Sequence, residues 1–388
     1  MSFHCLQHAH AIRHELGGVV GAVLALCGNL AERGHRITLL TGDTQDVPEA
    51  WLRGEAGCPH VVPIQLPQRS LLGLPRSAMD VIRPLFESAD ILHLHQLWKT
   101  GNHSIARMAT SQNLPYVVSS HGMLDEWAFS QRPLTKRLFM KLSGRKFLSN
   151  AAAIHCTAEG ERRQVERAVP GGRFFVAPHY FDWSLFKELP GPELARQQFP
   201  VLDTNKPKVL CLSRLHPVKG ADVLLRAIAQ VLAQGVEVSL YLAGPDEGGY
   251  RAVLERLVQS LGIEPHVHFL GMVRGKEKVS LYEACDLFAM PTMQENFGIV
   301  LVEAMGAGSP VITTSQVDIW PELEAAGGQI VDRTPEAFAK AIREMLTRPD
   351  ELQPLGTRAR QAMLSWLDPQ SVSDQYEGMY RECIGQHL

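Results

Sequence analysis

The chain has 388 residues, with 38 Lys and Arg against 41 Asp and Glu and a formal charge of −3. That length suffices for two ordinary domains, and the near-neutral balance does not mark a nucleic-acid binder. Apolar residues at 45 % and charged residues at 20 % are those of a globular protein, and no apolar run reaches the roughly 18 residues of a membrane-spanning helix.

The charge is unevenly placed. Residues 1–185 hold 19 bases against 15 acids and 12 of the 16 histidines, whereas the remainder holds 19 bases against 26 acids. A basic, His-rich first half is suited to an anionic or membrane-borne partner, although solvated surface charge gives the same composition. Seven scattered cysteines include no Cys-x-x-Cys pair, and the N-terminus lacks a signal-peptide layout. Buried free thiols and a cytoplasmic location are therefore expected.

In chain order, Phe3–Gln7 is a short first strand. Gly17-Gly18 follows, then a helix from Val19 to Arg33 that stops at Gly34. Strand, glycine pair and helix together can build a phosphate-binding turn. Arg36–Thr41 is a second strand. Asp90–Gln96 is another, and it sets His93 and His95 on one face. Tyr116–His121 ends in His121-Gly122, which puts an imidazole at the carboxyl end of a parallel sheet, where ligands bind in doubly wound folds. From 127 to 158 there is no acid but six bases, Arg132, Lys136, Arg137, Lys141, Arg145 and Lys146. Leu134, Leu138, Phe139, Leu142, Phe147 and Leu148 interleave with them at near-helical spacing. This pattern fits an amphipathic basic helix on an anionic membrane surface, and equally a domain helix with solvated charges. Strands at Ala152–Thr157 and Phe174–Ala177, with a helix Glu159–Val169 between them, complete an alternating α/β pattern. Pro178–Pro200, with four prolines, reads as the linker.

The second half opens on the strand Val209–Leu212. After it comes Ser213-Arg214-Leu215-His216-Pro217-Val218-Lys219-Gly220, leading into a helix Asp222–Ala233. An Arg and a Lys five apart on a loop at the end of a parallel strand can reach one diphosphate. Val238–Ala243 and Val267–Leu270 are further strands, the latter followed by Gly271-Met272-Val273. Met290–Ile312 is then a strand end, Glu295-Asn296-Phe297-Gly298, and a helix that starts near Phe297 and ends at Gly306 and Gly308. Its first turn leaves amides unpaired and carries the positive end of the dipole, and Gly298 lets an anion approach. Glu295 and Glu303 lie eight positions apart, a helical rise of about 12 Å, which matches the span from sugar to ribose across a nucleotide diphosphate-sugar. Glu295 would accept from sugar hydroxyls and Glu303 from ribose hydroxyls, with the diphosphate over the amides of Phe297, Gly298 and Ile299, beside Asn296. Helices near Pro335–Thr347 and Gln370–Ile384 close the chain.

The Glu-x7-Glu pattern with Phe-Gly beside the first Glu, the run Ser-Arg-Leu-x-x-x-Lys-Gly at 213–220, and His121-Gly122-Met123-Leu124-Asp125-Glu126-Trp127-Ala128 together resemble retaining glycosyltransferase family 4. The resemblance implies the GT-B architecture: two Rossmann-like α/β domains with parallel sheets facing across a cleft. On this chain it implies an N-terminal acceptor domain at 1–185, a nucleotide-sugar donor domain at 186–367, and a closing helix at 368–388 that packs back on the first domain. It also implies that Gly17 and Gly18 touch the donor phosphate and that His121 lies against the donor sugar. Gly271, Met272 and Val273 would meet the base, and His95, Asp125 and Trp127 would stand on the acceptor side. His121, Arg214, Lys219 and Glu295 are the expected catalytic set.

The activity so implied is transfer of a hexose from a nucleotide diphosphate-sugar to a glycan or lipid-linked acceptor, possible at the inner face of a membrane through 127–158. No Asp-x-Asp motif is present, so no metal or other cofactor is expected; Arg214 and Lys219 would supply the positive charge. Two other classes stay open: a non-catalytic two-lobed nucleotide-sugar binder, and a metal hydrolase built on His93, His95, His121 and Asp125.

Overall fold

The computed structural model describes residues 2–65, 73–125 and 133–386. It divides into two units, Met1–Asp182 with Leu367–Leu388, and Trp183–Trp366.

In the first unit, strands β1 (His4–His8), β2 (Arg36–Thr41), β3 (His60–Pro63), β4 (Ile91–His95), β5 (Tyr116–Ser119), β6 (Ala153–Cys156) and β7 (Phe174–Val176) form a parallel sheet. Its order is β3-β2-β1-β4-β5-β6-β7. The order reverses between β1 and β4, and the crevice beyond the carboxyl ends of such a pair is where doubly wound folds bind ligands. Strand β1 is buried along its whole length. It sends Leu6 into one apolar layer, with Leu92, Leu94 and Ile105, and Cys5 into the other, with Val23, Leu26 and Leu30. Its polar positions, His4, Gln7 and His8, are buried as well, which is why the strand reads as short and weakly apolar. The glycine pair is also not a tight turn on it: β1 ends at His8, a 3-10 turn occupies His14–Leu16, and only then does Gly17 open the helix Gly18–Glu32.

The closing helix, Pro369–Gly385, belongs to this unit. Val372, Tyr376, Met379, Tyr380 and Cys383 pack in the Cys5 layer. Arg33, at the end of the helix Gly18–Glu32, pairs with Asp374 (2.5 Å) and Glu377, and Arg381 also pairs with Glu377 (2.5 Å).

The described part of the basic segment is helical without a break from residue 133 to residue 149, with one wide turn in its middle. Trp127 and Arg132 lie outside the described residues. The rest forms a helix Pro133–Phe139, one wide turn Met140–Gly144 and a helix Arg145–Ser149, before the chain enters β6. Its apolar residues divide. Met140, Phe147 and Leu148 are buried, whereas Leu134, Leu138 and Leu142 are 80 %, 57 % and 74 % exposed, as are Arg137, Lys141, Arg145 and Lys146. Among the described residues no helix is long and apolar enough to cross a membrane.

The second unit holds β8 (Lys208–Leu212), β9 (Ser239–Ala243), β10 (Val267–Gly271), β11 (Leu287–Met290), β12 (Val311–Thr313) and β13 (Gln329–Ile330). They are parallel in the order β10-β9-β8-β11-β12-β13, and here the order reverses between β8 and β11. Val209, Leu240, Leu242, Leu287 and Ile312 pack with Leu224, Leu225 and Ile228 of the helix Ala221–Ala233.

Residues 183–200, expected as linker, instead belong to this unit. Trp183, Phe186 and Ala195 are buried, and a helix covers Glu193–Gln198. The Ser280 hydroxyl ties it down by accepting from Ala195 N–H (2.9 Å) and donating to the Gly191 carbonyl (2.6 Å). The prolines here break periodicity without freeing the chain.

Candidate functional site

Two loops meet at the order reversal of the second unit. The loop after β8 runs from Ser213 to Gly220, which caps the next helix in the left-handed conformation (φ 76°). A Cβ at Gly220 would lie 2.0 Å from the Pro291 carbonyl oxygen, so only glycine lets this loop rest on the residue after β11. That contact carries Lys219 onto Glu295, and the two form an ion pair with side chains only 12 % and 21 % exposed. The Glu295 backbone is fixed too: its N–H donates to the Gln316 carbonyl (3.0 Å) and its own carbonyl accepts from Asp318 N–H (2.9 Å). Arg214, on the same loop, is half exposed and pairs with Glu247 at 2.5 Å. Such a solvated pair is worth about 0–1 kcal/mol, so an anion can draw Arg214 away at little cost.

Glu295 is not on the helix. It stands in the loop before Gly298 (φ 65°), and the helix spans Ile299–Gly306. Four helical residues, a rise of about 6 Å, separate Ile299 from Glu303, so the expected ladder of about 12 Å along one helix is not the geometry that relates the two carboxylates. Leu301 N–H reaches the Gly298 carbonyl (2.8 Å); the amides ahead of it stand at the positive end of the helix.

Asn296 and Phe297 both face protein neighbours. Asn296 donates to Asp318 (3.3 Å), and the Phe297 ring stacks on Trp366 at 5.7 Å. Glu303 is buried: one oxygen accepts from Lys278 (2.5 Å), the other from the Tyr282 hydroxyl (2.8 Å). Burial, and then the Glu303 charge, push the Tyr282 phenol well above its ordinary range, so it stays a donor. After β10, the Gly271 carbonyl accepts from Gly244 N–H (2.7 Å), Met272 is 47 % exposed and Val273 is buried.

In the first unit, Gly17 has φ 100°, and a Cβ there would meet nothing within 4 Å; its backbone faces open space. The turn after β5 is built differently. His121 (φ 50°) and Gly122 (φ 72°) are both left-handed, a costly state for a histidine. Glu161 holds it. This carboxylate, 1 % exposed, accepts from Ser120 Oγ (2.5 Å), Gly122 N–H (2.7 Å), Thr157 N–H (2.6 Å) and Thr157 Oγ1 (2.9 Å). Burial opposes its charge, but these hydrogen bonds win and keep its carboxyl below the ordinary range. Asp125 is buried close by.

His121, His95 and His93 form a stack that continues to His179: ring centroids are 5.3 Å apart for His95–His121, 4.2 Å for His93–His95 and 5.2 Å for His121–His179. His93 bonds Tyr380 and Ser119 (2.7 Å each), and His95 bonds Gln7 (2.8 Å) and His121 (3.1 Å). Both rings commit both nitrogens to protein, which does not suit metal ligation. Among the described residues no group of three His, Cys, Asp or Glu side chains is placed to hold a metal.

Two family models match the chain. One, described as glycosyl transferases group 1, covers residues 195–362, and the other, a glycosyl transferase 4-like domain, covers 17–178. The chain belongs to this glycosyltransferase family. A GDP-mannose-dependent alpha-(1-6)-phosphatidylinositol dimannoside mannosyltransferase of Mycobacterium tuberculosis is 26 % identical over 364 residues, 90 % of this chain and 89 % of that one. A D-inositol 3-phosphate glycosyltransferase of Rhodococcus jostii is 34 % identical over 178 residues, 44 % of this chain and 39 % of that one. Among solved structures, Anabaena Alr3699/HepE in complex with UDP and glucose has a TM-score of 0.76 at 22 % identity, covering 97 % and 98 % of the two chains. The fold is thus GT-B, with two Rossmann-like parallel sheets.

For this glycosyltransferase the motif reading missed four side chains. Lys278 and Tyr282 hold Glu303, Glu161 holds the His121 turn, and Tyr380 caps the histidine stack. Only Lys278 and Tyr282 carried a usable signal, an i, i+4 spacing that puts both on one face of the helix Gly275–Ala284.

Proposed function

We propose that this glycosyltransferase moves a hexose from a nucleotide diphosphate-sugar to a glycan or lipid-linked acceptor, with retention at the anomeric carbon and without a chelated metal. The observation that carries this reading is the shielded Lys219–Glu295 pair beside the glycine-led helix start at Gly298. Lys219 and the helix amides would face the diphosphate and Arg214 would swing onto it, stabilising the charge that develops as the glycosidic bond breaks. Glu295, held by Lys219, accepts from sugar hydroxyls, and Glu303, held by Lys278 and Tyr282, has lone pairs left for the ribose. The leaving diphosphate takes the acceptor proton on the face where the acceptor attacks, so no protein base is required. The GDP-mannose in the name of the mannosyltransferase and the UDP and glucose bound to HepE support this reading.

Thermal shift of the purified protein with GDP-mannose and UDP-glucose tests the donor class, because a ligand that binds only the folded state raises the melting temperature. A rise with one of them, followed by a product whose anomeric coupling matches the donor, is the expected result. An inverted product sinks the mechanism, and binding without turnover favours the non-catalytic alternative. Glu303→Gln should weaken binding of the bare nucleoside diphosphate about tenfold or more, one charged hydrogen bond being worth about 1.5–3 kcal/mol. Glu295→Gln should lower turnover more than it weakens that binding. Equal loss of nucleotide affinity in both variants would undo this division of roles.

A second feature bears on the acceptor. Leu134, Leu138 and Leu142 are exposed on the segment that also exposes Arg137, Lys141, Arg145 and Lys146. Apolar side chains among bases fit an anionic bilayer surface, as a lipid-linked acceptor would require. The protein should sediment with phosphatidylserine-containing vesicles at low salt, and Leu138→Ser with Leu142→Ser should abolish this. Binding indifferent to lipid charge would contradict it.

A further inference from the structure

One chain of hydrogen bonds in the first unit, from His155 to His121, runs in one direction only. His155 Nε2 lies 2.9 Å from the Ala177 carbonyl, which can only accept, so Nε2 carries the proton. Burial holds this ring neutral; Nδ1 is therefore bare and accepts from the Ser119 hydroxyl (2.7 Å). Ser119 has spent its proton, so its oxygen accepts from His93 Nε2 (2.7 Å). His93, buried and neutral by the same cause, has a bare Nδ1 that accepts from the Tyr380 hydroxyl (2.7 Å). The Tyr380 oxygen accepts from the Gln7 amide nitrogen (3.0 Å), which fixes the Gln7 amide so that its oxygen accepts from His95 Nε2 (2.8 Å). His95 Nδ1 then accepts from His121 Nε2 (3.1 Å). At the end stands His121 Nδ1, bare and buried, with no hydrogen-bond partner among the described residues. Every step follows from donors and acceptors once the Ala177 end is set and burial keeps His95 and His121 neutral as well.

We propose that Tyr380 and Gln7 are positioning residues that lock the tautomer of His121, so that its free Nδ1 recognises a ligand group that donates a hydrogen bond, a hydroxyl and not an anion. An oxyanion facing this lone pair would meet repulsion. The left-handed turn held by Glu161 keeps the ring in place, and the chain through Tyr380 keeps the proton on its far side. The identification of the donor as a sugar hydroxyl rests on the sugar-transfer reading above; the tautomer does not.

Long-range proton–nitrogen correlation spectra of the protein labelled in its histidine rings test the tautomer without any ligand, the His121 signals being assigned by their loss in His121→Asn. The expected wild-type state is neutral, with the proton on Nε2. Tyr380→Phe keeps the ring in the core but removes the donor to His93 and the acceptor for Gln7; His121 should then populate both tautomers. Gln7→Met cuts the same chain one link later and should do likewise, should Tyr380→Phe fail to fold. Tyr376→Phe is the control: it removes a buried hydroxyl of the same helix, bonded to the Pro178 carbonyl at 3.3 Å, and should leave His121 unchanged. A wild-type proton on Nδ1, or a His121 that stays wholly Nε2-protonated in both cut variants, overturns the proposal. In binding, Tyr380→Phe should weaken GDP-mannose or UDP-glucose by about two- to tenfold while leaving GDP or UDP unchanged. Equal loss for sugar-nucleotide and nucleotide would mark a merely structural role and overturn it as well. Failure of the wild type to bind either sugar-nucleotide would sink the sugar-transfer reading and leave the spectra to decide the tautomer.

Discussion

Lowering the pH from 7.5 to 5.5 should unfold the first unit. Five imidazoles, His93, His95, His121, His155 and His179, are held below their ordinary value of 6.5, His179 down to about 4. Burial is the leading cause at each. Neighbouring imidazoles add to it at His93, His95, His121 and His179, and Glu161 opposes it at His155 and His179. A depressed histidine is neutral when folded and protonated when unfolded, so its contribution is complete above 6.5 and shrinks as pH falls below it. One unit below, a ring that stays neutral in the folded state costs about 1.4 kcal/mol, and His93, His95, His121 and His179, the four held furthest down, together cost about 5–6 kcal/mol, with a smaller share from His155. That is comparable to the 5–15 kcal/mol that holds an ordinary domain together. Thermal melts between pH 7.5 and 5.5 should therefore show one transition falling steeply while that of the second unit moves little. A first-unit transition that is flat across this range would show that the folded histidines are charged, with no bare Nδ1 left on His121.

Lys219→Ala should lower turnover about 10²- to 10³-fold, the usual cost of removing one preorganised stabiliser of developing negative charge. The loss has two parts. The diphosphate loses a charge-assisted contact of about 1.5–3 kcal/mol, and Glu295, largely shielded from solvent, loses the cation that fixes it. Arg214→Ala should cost less, because Arg214 is half exposed and tied to Glu247 before any ligand arrives. Steady-state kinetics with the donor chosen by thermal shift, beside calorimetric titration with the bare nucleoside diphosphate, measures both parts. A Lys219→Ala enzyme with more than a third of wild-type turnover would remove Lys219 from the mechanism.

Much of this architecture could be read from residue patterns where the determinants are local. Arg36–Thr41 is a strand at the expected residues, because apolar periodicity marks it. The 213–220 run declares its loop because a strand, two cations and Gly220 follow one another in order. The glycines at 298 and 306 bound their helix as expected to within a residue or two. What stayed hidden depends on partners far apart in the chain. Strand β1 looks too polar for the middle of a sheet until Tyr380, 373 positions away, is seen to satisfy Gln7. Glu161 is an ordinary helix acid until Ser120 and Gly122, 41 and 39 positions earlier, turn onto it. The prolines of 178–200 suggest a free linker, because nothing in their own neighbourhood reveals that Ser280 anchors it.

The return of Pro369–Gly385 to the first unit sets an order of assembly during synthesis. Ribosomes deliver about 5–20 residues per second, and contiguous domains fold as they emerge. Residues 183–366 form a contiguous unit and can finish early. The first sheet leaves the ribosome sooner but has to wait: until Tyr380 arrives, His93 lacks its donor and one side of β1 lacks its cover. For the seconds in between, the nascent chain carries an open apolar face and histidines of undetermined protonation, the state in which it most needs a chaperone. Completion of the last helix is thus the event that both closes the core and orders the imidazole just beyond β5, so a chain cut short of it would bear every recognisable motif and still lack a properly poised His121.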